Sequence, residues 1–375
     1  MKIGFDGKRA ANNLTGLGNY SRSLITHLAE FFPQNQYFVY TPKVKEHPQI
    51  SRFLQIKGIK TELPDRPGWF WRTSGIKKQL LEDQIDLFHG LSHEIPLGIQ
   101  DSGIASIVTI HDLIFLRFPQ YYGRIDRFIY QLKFRYACKH AARIIAISEC
   151  TKRDIVHFFH TNPDKIEVVY QSCDDSFKSV TDQKKRQEVR DKHQLPEKYI
   201  LNVGTIESRK NLLTLIKALP EIHPDYQLVV VGKKTAYTDL VNKEIEALGL
   251  KSRVTFLQNV PFGDLPSIYQ MATAFVYPSL YEGFGIPIIE ALYSAVPVIA
   301  ATGSCLEEAG GENSLYVAPY DHQALSDAIN KVLNSPALAT EMTVKGLEYA
   351  KKFDTRVLTE EMIKIYTQVL SNHQK

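Results

Sequence analysis

The sequence predicts two doubly wound α/β domains in tandem, and three observations carry that prediction. The chain has 375 residues, about two domains at the usual ~150 residues each. Short apolar, β-rich runs alternate with longer amphipathic segments, the pattern of a mostly parallel sheet covered on both faces. That alternation breaks once, at a charged stretch, and then restarts. Composition agrees: 44% hydrophobic and 23% charged residues are ordinary globular values, which excludes wholesale disorder and a fibrous repeat.

In the first half, strands are expected at 2–5, 37–40, 87–89, 105–110, 143–147 and 166–169, with crossover helices between them. Residues 178–198 turn polar and highly charged and suit a linker with one helix. The second set of strands is expected at 199–203, 227–231, 253–257, 274–277 and 296–300, at the spacing of a βα unit. Residues 321–334, 336–352 and 355–370 then read as consecutive helices. The expected organisation is a domain over 1–177, a linker over 178–198, a second domain over 199–354, and a C-terminal segment, 355–375, that packs back on the first. Doubly wound sheets bind ligands beyond the carboxyl ends of their strands, so two such sheets facing each other would create a cleft.

The net charge of +4 is carried by the first half. Within it, Arg117, Arg124, Arg127, Lys133, Arg135, Lys139 and Arg143 face the single acid Asp126, a local patch that needs a reason. Cys138, Cys150, Cys173 and Cys305 show no C-x-x-C spacing, so neither a disulfide framework nor a zinc ribbon is supported and a reducing compartment is expected. The start, MKIGFDGKRA, reads as a strand entering a polar loop, unlike a secretory leader. No apolar run reaches the ~18 residues that span a bilayer. A cytoplasmic protein, soluble or resting on a membrane surface, is the expectation.

Thr15-Gly16-Leu17-Gly18-Asn19-Tyr20 follows the first strand and opens a helix. Glycine permits close ligand approach and a helix N-terminus offers unpaired N–H groups to an anion, so phosphate binding and an ordinary turn are both open. Gly204 to Asn211 follows the first strand of the second domain, where the adjacent cations Arg209 and Lys210 can neutralise a diphosphate. Glu282-Gly283-Phe284-Gly285-Ile286-Pro287-Ile288-Ile289-Glu290 places two carboxylates around a glycine turn and a helix-starting proline. Such carboxylates accept hydrogen bonds from vicinal hydroxyls, as on a sugar or a ribose. His111-Asp112 ends the strand at 105–110, where a His either meets substrate or caps a turn. His89 and His93, four apart with no third ligand nearby, make a poor metal site. There is no D-x-D, no P-loop and no G-x-S-x-G.

Together these residues resemble the retaining glycosyltransferases of family 4, the group 1 glycosyltransferases, whose fold is GT-B: two Rossmann-like doubly wound domains facing across a cleft. The resemblance runs from the Gly16/Gly18 loop through His111, Ser148 and Gly204 with Arg209-Lys210 to the Glu282–Glu290 motif. It implies an N-terminal acceptor-binding domain and a C-terminal nucleotide-sugar-binding domain. It also implies that Arg209 and Lys210 hold the donor diphosphate, that the loop of Gly16 and Gly18 closes over it, and that Glu282 contacts the transferred sugar. By the same resemblance Glu290 binds ribose hydroxyls, His111 lies beside the sugar, and the amides of Phe284, Gly285 and Ile286 lie near sugar or phosphate.

The activity so implied is transfer of a hexose with retention from a nucleotide diphosphate sugar to a hydroxyl of a glycan or lipid-linked glycan. GDP-mannose is the first choice of donor and UDP-sugars the next. No cofactor or metal is expected, because Arg209, Lys210 and the Gly16 loop would stabilise the leaving phosphate. Bacterial polysaccharide mannosyltransferases are the nearest likeness. A nucleotide-sugar epimerase of the same architecture and a non-catalytic sugar-nucleotide sensor are the rivals. Tyr121, Tyr122, Phe128, Tyr130, Phe134 and Tyr136 interleave with the basic patch, and Trp69-Phe70-Trp71-Arg72 with Lys77-Lys78 forms a second aromatic-basic cluster. An anionic membrane surface, at the inner face of the plasma membrane, and a helix with a solvated face are both open readings. Nucleic acid is not expected.

Overall fold

The computed structural model describes residues 1–64, 68 and 70–373. The chain divides into two compact units, one of Met1–Gln171 with Thr355–Lys375 and one of Ser172–Asp354. The first holds a seven-stranded sheet of β1 (Lys2–Asp6), β2 (Gln36–Tyr40), β3 (Ile59–Glu62), β4 (Leu87–Gly90), β5 (Ala105–Ile110), β6 (Arg143–Ala146) and β7 (Ile166–Val168). Its order is β3-β2-β1-β4-β5-β6-β7, and every pairing is parallel. The second holds β8 (Tyr199–Val203), β9 (Gln227–Val231), β10 (Val254–Leu257), β11 (Ala274–Tyr277), β12 (Val298–Ala301) and β13 (Leu315–Val317), in the order β10-β9-β8-β11-β12-β13. Both are Rossmann orders, with a topological switch point between the first and fourth strands of each unit.

Apolar runs make these strands because parallel strands are buried on both faces: β5 and β11 are buried at every residue. One face of the first sheet packs Ile3, Phe5 and Val39 against Ile25 and Leu28 of the helix Gly16–Phe31 and against Leu358, Met362 and Tyr366 of the C-terminal helix Thr355–His373. The other face packs Phe88, Val108 and Ile144 against Phe134, Ala137 and Cys138 of the helix Arg124–His140. A separate core, with Ile200, Val230, Val276 and Ile299 among its members, serves the second sheet.

Residues 178–198 fall within the second unit and contain one helix. The helix Gln183–His193 is tied down by buried Asp264, which pairs with Lys192 at 2.7 Å, Lys185 at 3.0 Å and His193 at 3.0 Å. The sheets gain two strands that the apolar pattern does not announce, β3 and β13, both edge strands. The helix of the glycine loop begins at Gly16, about one turn before the apolar periodicity starts. All four cysteines are free and buried. Among the described residues no helix is long and apolar enough to cross a membrane.

Candidate functional site

Each unit carries a polar cluster at the carboxyl edge of its sheet, beside its switch point. In the second, the chain leaves β8 through Gly204, whose φ of +152° a side chain would strain. Lys210 folds back beside that glycine, its Cδ and Cε 3.7 Å from where a Cβ would stand. Lys210 Nζ donates to Tyr277 Oη at 2.6 Å and to Glu282 Oε1 at 2.6 Å. Arg209 Nη1 reaches Glu282 Oε2 at 2.8 Å and the Tyr281 carbonyl at 2.6 Å, and Nη2 donates to Glu207 Oε1 at 2.7 Å. Arg209 and Lys210 thus meet both oxygens of one carboxylate.

The charges are mutually set. Burial alone would raise the Glu282 pKa, but Lys210 and Arg209 outweigh it and hold it at about 2. Burial would strip charge from the two cations, and Glu282 reverses that, so both stay protonated. Two cations face two carboxylates, Glu207 and Glu282. An anion entering this cluster would therefore compete with Glu282 for Arg209 and Lys210, and a hydroxyl group would compete with the two cations for Glu282.

Glu290 stands apart from this triad. It sits in the helix Ile286–Tyr293 and accepts a hydrogen bond from Tyr269 Oη at 2.7 Å on Oε2. Burial lifts its pKa to about 7 against that hydrogen bond, and the Asp174 carboxylate adds to the rise. Between the two glutamates the loop is pinned by Cys305, whose thiol lies 2.6 Å from the Phe284 carbonyl and 3.1 Å from that of Glu282. Gly285 has φ +130°, and a Cβ there would come within 3.2 Å of Ala309. Ile286, the first helical residue, has no intrahelical acceptor for its amide.

In the first unit the two glycines of the loop differ. A Cβ on Gly18 would lie 1.9 Å from the Asn13 carbonyl, whereas one on Gly16 meets nothing within 4 Å. Gly18 is needed by the loop itself, and Gly16 leaves open space above it. Asn13 Oδ1 organises the turn, accepting from Thr15 N at 2.8 Å, Thr15 Oγ1 at 2.7 Å and Gly18 N at 3.3 Å. Tyr20, a few residues on, packs edge-on to His111 at 4.7 Å.

His111 has no idle ring nitrogen. Nε2 lies 2.9 Å from the Leu91 carbonyl, which only accepts, so Nε2 bears the proton. Nδ1 then accepts from Gln171 Nε2 at 3.0 Å. Burial pushes its pKa down to about 4, with nearby Arg9 adding. The backbone is engaged as well, its N–H donating to His93 Nδ1 at 3.3 Å and its carbonyl accepting from Thr151 Oγ1 at 3.2 Å, and proton transfer at Nδ1 would require Gln171 to leave. His89 is likewise enclosed, between Tyr366 Oη at 2.6 Å and Thr109 Oγ1 at 2.8 Å. Among the described residues no group of three or more His, Cys, Asp or Glu could hold a metal ion.

The structure thus brings Gly204, Arg209, Lys210 and Glu282 together, and Gly16, Gly18 and His111 onto one sheet edge through Tyr20. Tyr277, Tyr269, Cys305, Asn13 and Gln171 are additions that the motifs did not name, and Glu207, inside the Gly204–Asn211 stretch, had been given no role. Tyr277 was findable, as the last residue of β11. Gln171 carries no local signal.

Two Rossmann-ordered units in one chain, each with its polar cluster at the carboxyl edge of its sheet, are the architecture of the GT-B fold. The chain belongs to the group 1 and family 4 glycosyltransferases: "Glycosyl transferases group 1" matches residues 184–352 and "Glycosyltransferase Family 4" matches residues 14–177. It is similar to the O-antigen chain mannosyltransferase B of Escherichia coli, 28% identical over 394 residues covering 98% of this chain and 99% of that one. It is also similar to the O-antigen chain mannosyltransferase RfbU of Salmonella typhimurium, 34% identical over 251 residues, 65% of this chain and 64% of that one. Anabaena HepE, solved in complex with UDP and glucose, shares the fold at a TM-score of 0.78 and 17% identity, over 98% of this chain and 100% of that one.

Proposed function

We propose that the protein is a retaining, metal-independent mannosyltransferase that moves mannose from GDP-mannose to a hydroxyl of a glycan or lipid-linked glycan. The observation that carries the reading is the Arg209–Lys210–Glu282 cluster, a preformed pair of cations held on a carboxylate that a diphosphate sugar can displace. Mannose as the sugar is supported by the O-antigen mannosyltransferase relatives. In the reaction, the anomeric C–O bond to phosphate breaks and a bond to the acceptor oxygen forms on the same face, the acceptor proton passing to the departing phosphate. Arg209 and Lys210 stabilise the growing charge on that phosphate where a metal would otherwise be needed. Glu282, once released, accepts from sugar hydroxyls, and Glu290 accepts from the ribose diol.

A panel of GDP- and UDP-sugars, followed for slow hydrolysis with and without excess chelator, tests this. GDP-mannose turnover with an α-configured product, unaffected by chelator, is expected. Hydrolysis of a UDP-sugar alone would replace the donor, loss of turnover restored by Mg²⁺ would end metal independence, and conversion of the donor to its epimer would make the chain an epimerase.

The acceptor reading extends to a membrane surface. On the helix Arg124–His140, Ile125 is 75% and Phe128 62% exposed, and Ile129 and Leu132 are exposed beside them. Their spacing of i, i+3, i+4, i+7 makes one apolar stripe, opposite the buried Phe134, Ala137 and Cys138. Of the seven cations in the segment, Lys133 pairs with Glu94, Arg117 with Asp154 and Arg143 with Glu167. Arg124, Arg135 and Lys139 remain exposed around the stripe. A second copy docking on this face would oppose like charges, whereas an anionic bilayer matches it, each cation adding about 1 kcal/mol. Of the second cluster, Phe70 is exposed, Arg72 is ion-paired to Asp6 and Glu94, and Trp69 lies outside the described residues. Co-sedimentation with anionic but not neutral vesicles at low salt, abolished by R124E/R135E/K139E, is expected. Binding unchanged in that variant would leave the stripe without a lipid partner.

A further inference from the structure

The ion-pair cluster beside β1 leaves two cations over. Asp6, which ends β1, accepts from Arg72 Nε at 3.0 Å and Nη2 at 2.5 Å, and Glu94 accepts from Arg72 Nη1 at 2.8 Å and Lys133 Nζ at 3.2 Å. Arg72 and Lys133 thus satisfy both carboxylates. Lys8 and Arg9 open the short helix that follows β1. Among the described residues neither side chain has a hydrogen bond or an ion pair. Partial burial first and Arg72 next pull the Lys8 pKa below its ordinary value, Arg9 adds to the fall, and Glu94 and Asp6 do not make it good. At Lys210 the balance has the opposite sign, because Glu282 is beside it.

His93 adds a neutral donor to the same edge. It follows β4, the neighbour of β1 in the sheet, at a left-handed φ of +68°, and its ring lies flat on Phe134 at 4.4 Å. Nδ1 accepts from the His111 amide at 3.3 Å, so it carries no proton. Burial holds the imidazole neutral, with His111, Arg9 and Arg72 adding. The single ring proton is therefore on Nε2, which has no acceptor among the described residues. Next to it in the chain, the Ser92 hydroxyl is buried and without a partner.

Lys8 Nζ, the Arg9 guanidinium and His93 Nε2 can only donate. They come from the segments that leave β1 and β4, the two strands that flank the switch point of the first sheet, where doubly wound sheets take ligands. Two cations and a neutral donor without acceptors match a phosphate monoester, which carries a charge of about −1.5 to −2 on three oxygens. A carboxylate brings one charge and two oxygens. We infer that the first unit by itself binds a phosphate ester of the acceptor, through Lys8, Arg9 and His93. The inference rests on the reading of the chain as a transferase to a glycan, and it makes that glycan, or the lipid that carries it, a phosphorylated one.

The test uses the full chain with carbon-13 in its histidine rings, the His93 signal being assigned by its loss in His93→Gln. Inorganic phosphate, mannose 6-phosphate, a prenyl diphosphate-linked mannose, glucuronate and methyl α-mannoside are titrated with and without saturating GDP. We expect the phosphate compounds to move the His93 signal and raise the melting temperature in both conditions, glucuronate to do so more weakly and methyl α-mannoside not at all. The tighter of mannose 6-phosphate and the prenyl diphosphate sugar tells whether the phosphate belongs to the glycan or to its lipid. In Lys8→Gln/Arg9→Gln the affinity for phosphate should fall on the order of tenfold or more. The unliganded double variant should melt at the same temperature or higher, because the pair has no contact to lose and its mutual repulsion is gone, whereas Arg72→Gln should melt lower. Unchanged affinity in the double variant, or affinity lost together with a lower unliganded melting temperature, overturns the site. Displacement of phosphate by GDP, with GDP affinity also lost in the double variant, gives these cations to the donor and overturns the acceptor assignment. Failure of GDP to bind the original protein would count against the donor reading of the second unit, while the phosphate titration of the first still decides this inference.

Discussion

Replacing Glu282 by Gln should weaken the fold and strengthen its grip on a nucleoside diphosphate. Glu282 holds Lys210 at 2.6 Å and Arg209 at 2.8 Å, with its side chain 11% exposed. Removing one partner of such a buried group costs about 3–5 kcal/mol. Here Tyr277 still receives Lys210 and Glu207 still receives Arg209, which brings the cost below that range, to about 2–3 kcal/mol. At roughly 2–4 °C per kcal/mol for a unit of this size, the melting transition falls by roughly 5–10 °C. GDP should then recover more of that loss than it adds to the unchanged protein, because its phosphates no longer have to displace Glu282. A tenfold gain in affinity is worth about 1.4 kcal/mol of extra stabilisation at saturating ligand, an additional shift of roughly 3–5 °C.

Thermal melts of both proteins with GDP, and with UDP in parallel, measure the difference directly. The gap between the two unliganded proteins should not vary between pH 6 and 9. A carboxylate with a depressed folded pKa contributes stability that is present above its unfolded value and lost only as pH falls through the folded one, about 2 for Glu282. A nucleotide-induced shift in Glu282→Gln equal to or smaller than that of the original protein would show that Glu282 and phosphate do not compete for the cations, and the charge-handover mechanism would fall with it.

Other consequences follow from single contacts. Lys210→Ala should lower kcat on the order of 10²–10³-fold with a smaller change in KM for the donor, since its interaction strengthens as the phosphate departs; a near-normal kcat removes Lys210 from the chemistry. Glu290, with a folded pKa of about 7, should make the KM for the donor fall as pH rises from 6 to 8, because the ionised carboxylate is the better acceptor for a diol, and Glu290→Gln should flatten that profile. The same raised pKa means that ionising Glu290 costs up to about 3 kcal/mol of stability as pH climbs from its unfolded value to neutrality, so Glu290→Gln should be relatively more stable at pH 8 than at pH 5. Gly18→Ala should destabilise the first unit by about 1–3 kcal/mol through the clash with Asn13, whereas Gly16→Ala should melt normally.

The strand alternation made the two-sheet architecture legible, and what it missed has a common physical cause. In β3 only Ile59 is buried, and in β13 no residue is fully buried. β3 carries a single apolar residue and β13 is only three residues long, so each offers too short an apolar run to leave a trace, whereas the edge strand β10, with three apolar side chains in four residues, was expected. The functional edge was legible for the complementary reason. A doubly wound sheet delivers whatever follows each strand to one rim, so Gly16, His111, Gly204, Arg209 and Glu282 could be placed there from strand positions alone. Which charges pair across that rim could not. Lys210 and Glu282 meet over a separation of 72 residues, and Gln171 reaches His111 over 60, distances at which sequence supplies residue types but no contacts. The motif consequently presents Arg209 and Lys210 as free cations waiting for phosphate, although the fold has already satisfied them with Glu282. Arg22, buried and bonded only to neutral acceptors, lies in a stretch that reads as ordinary amphipathic helix. Charge available to a ligand depends on which pairs the fold has already made and how they can be exchanged, so the electrostatics of this site had to be taken from packing, residue by residue, once the motif had shown where to look.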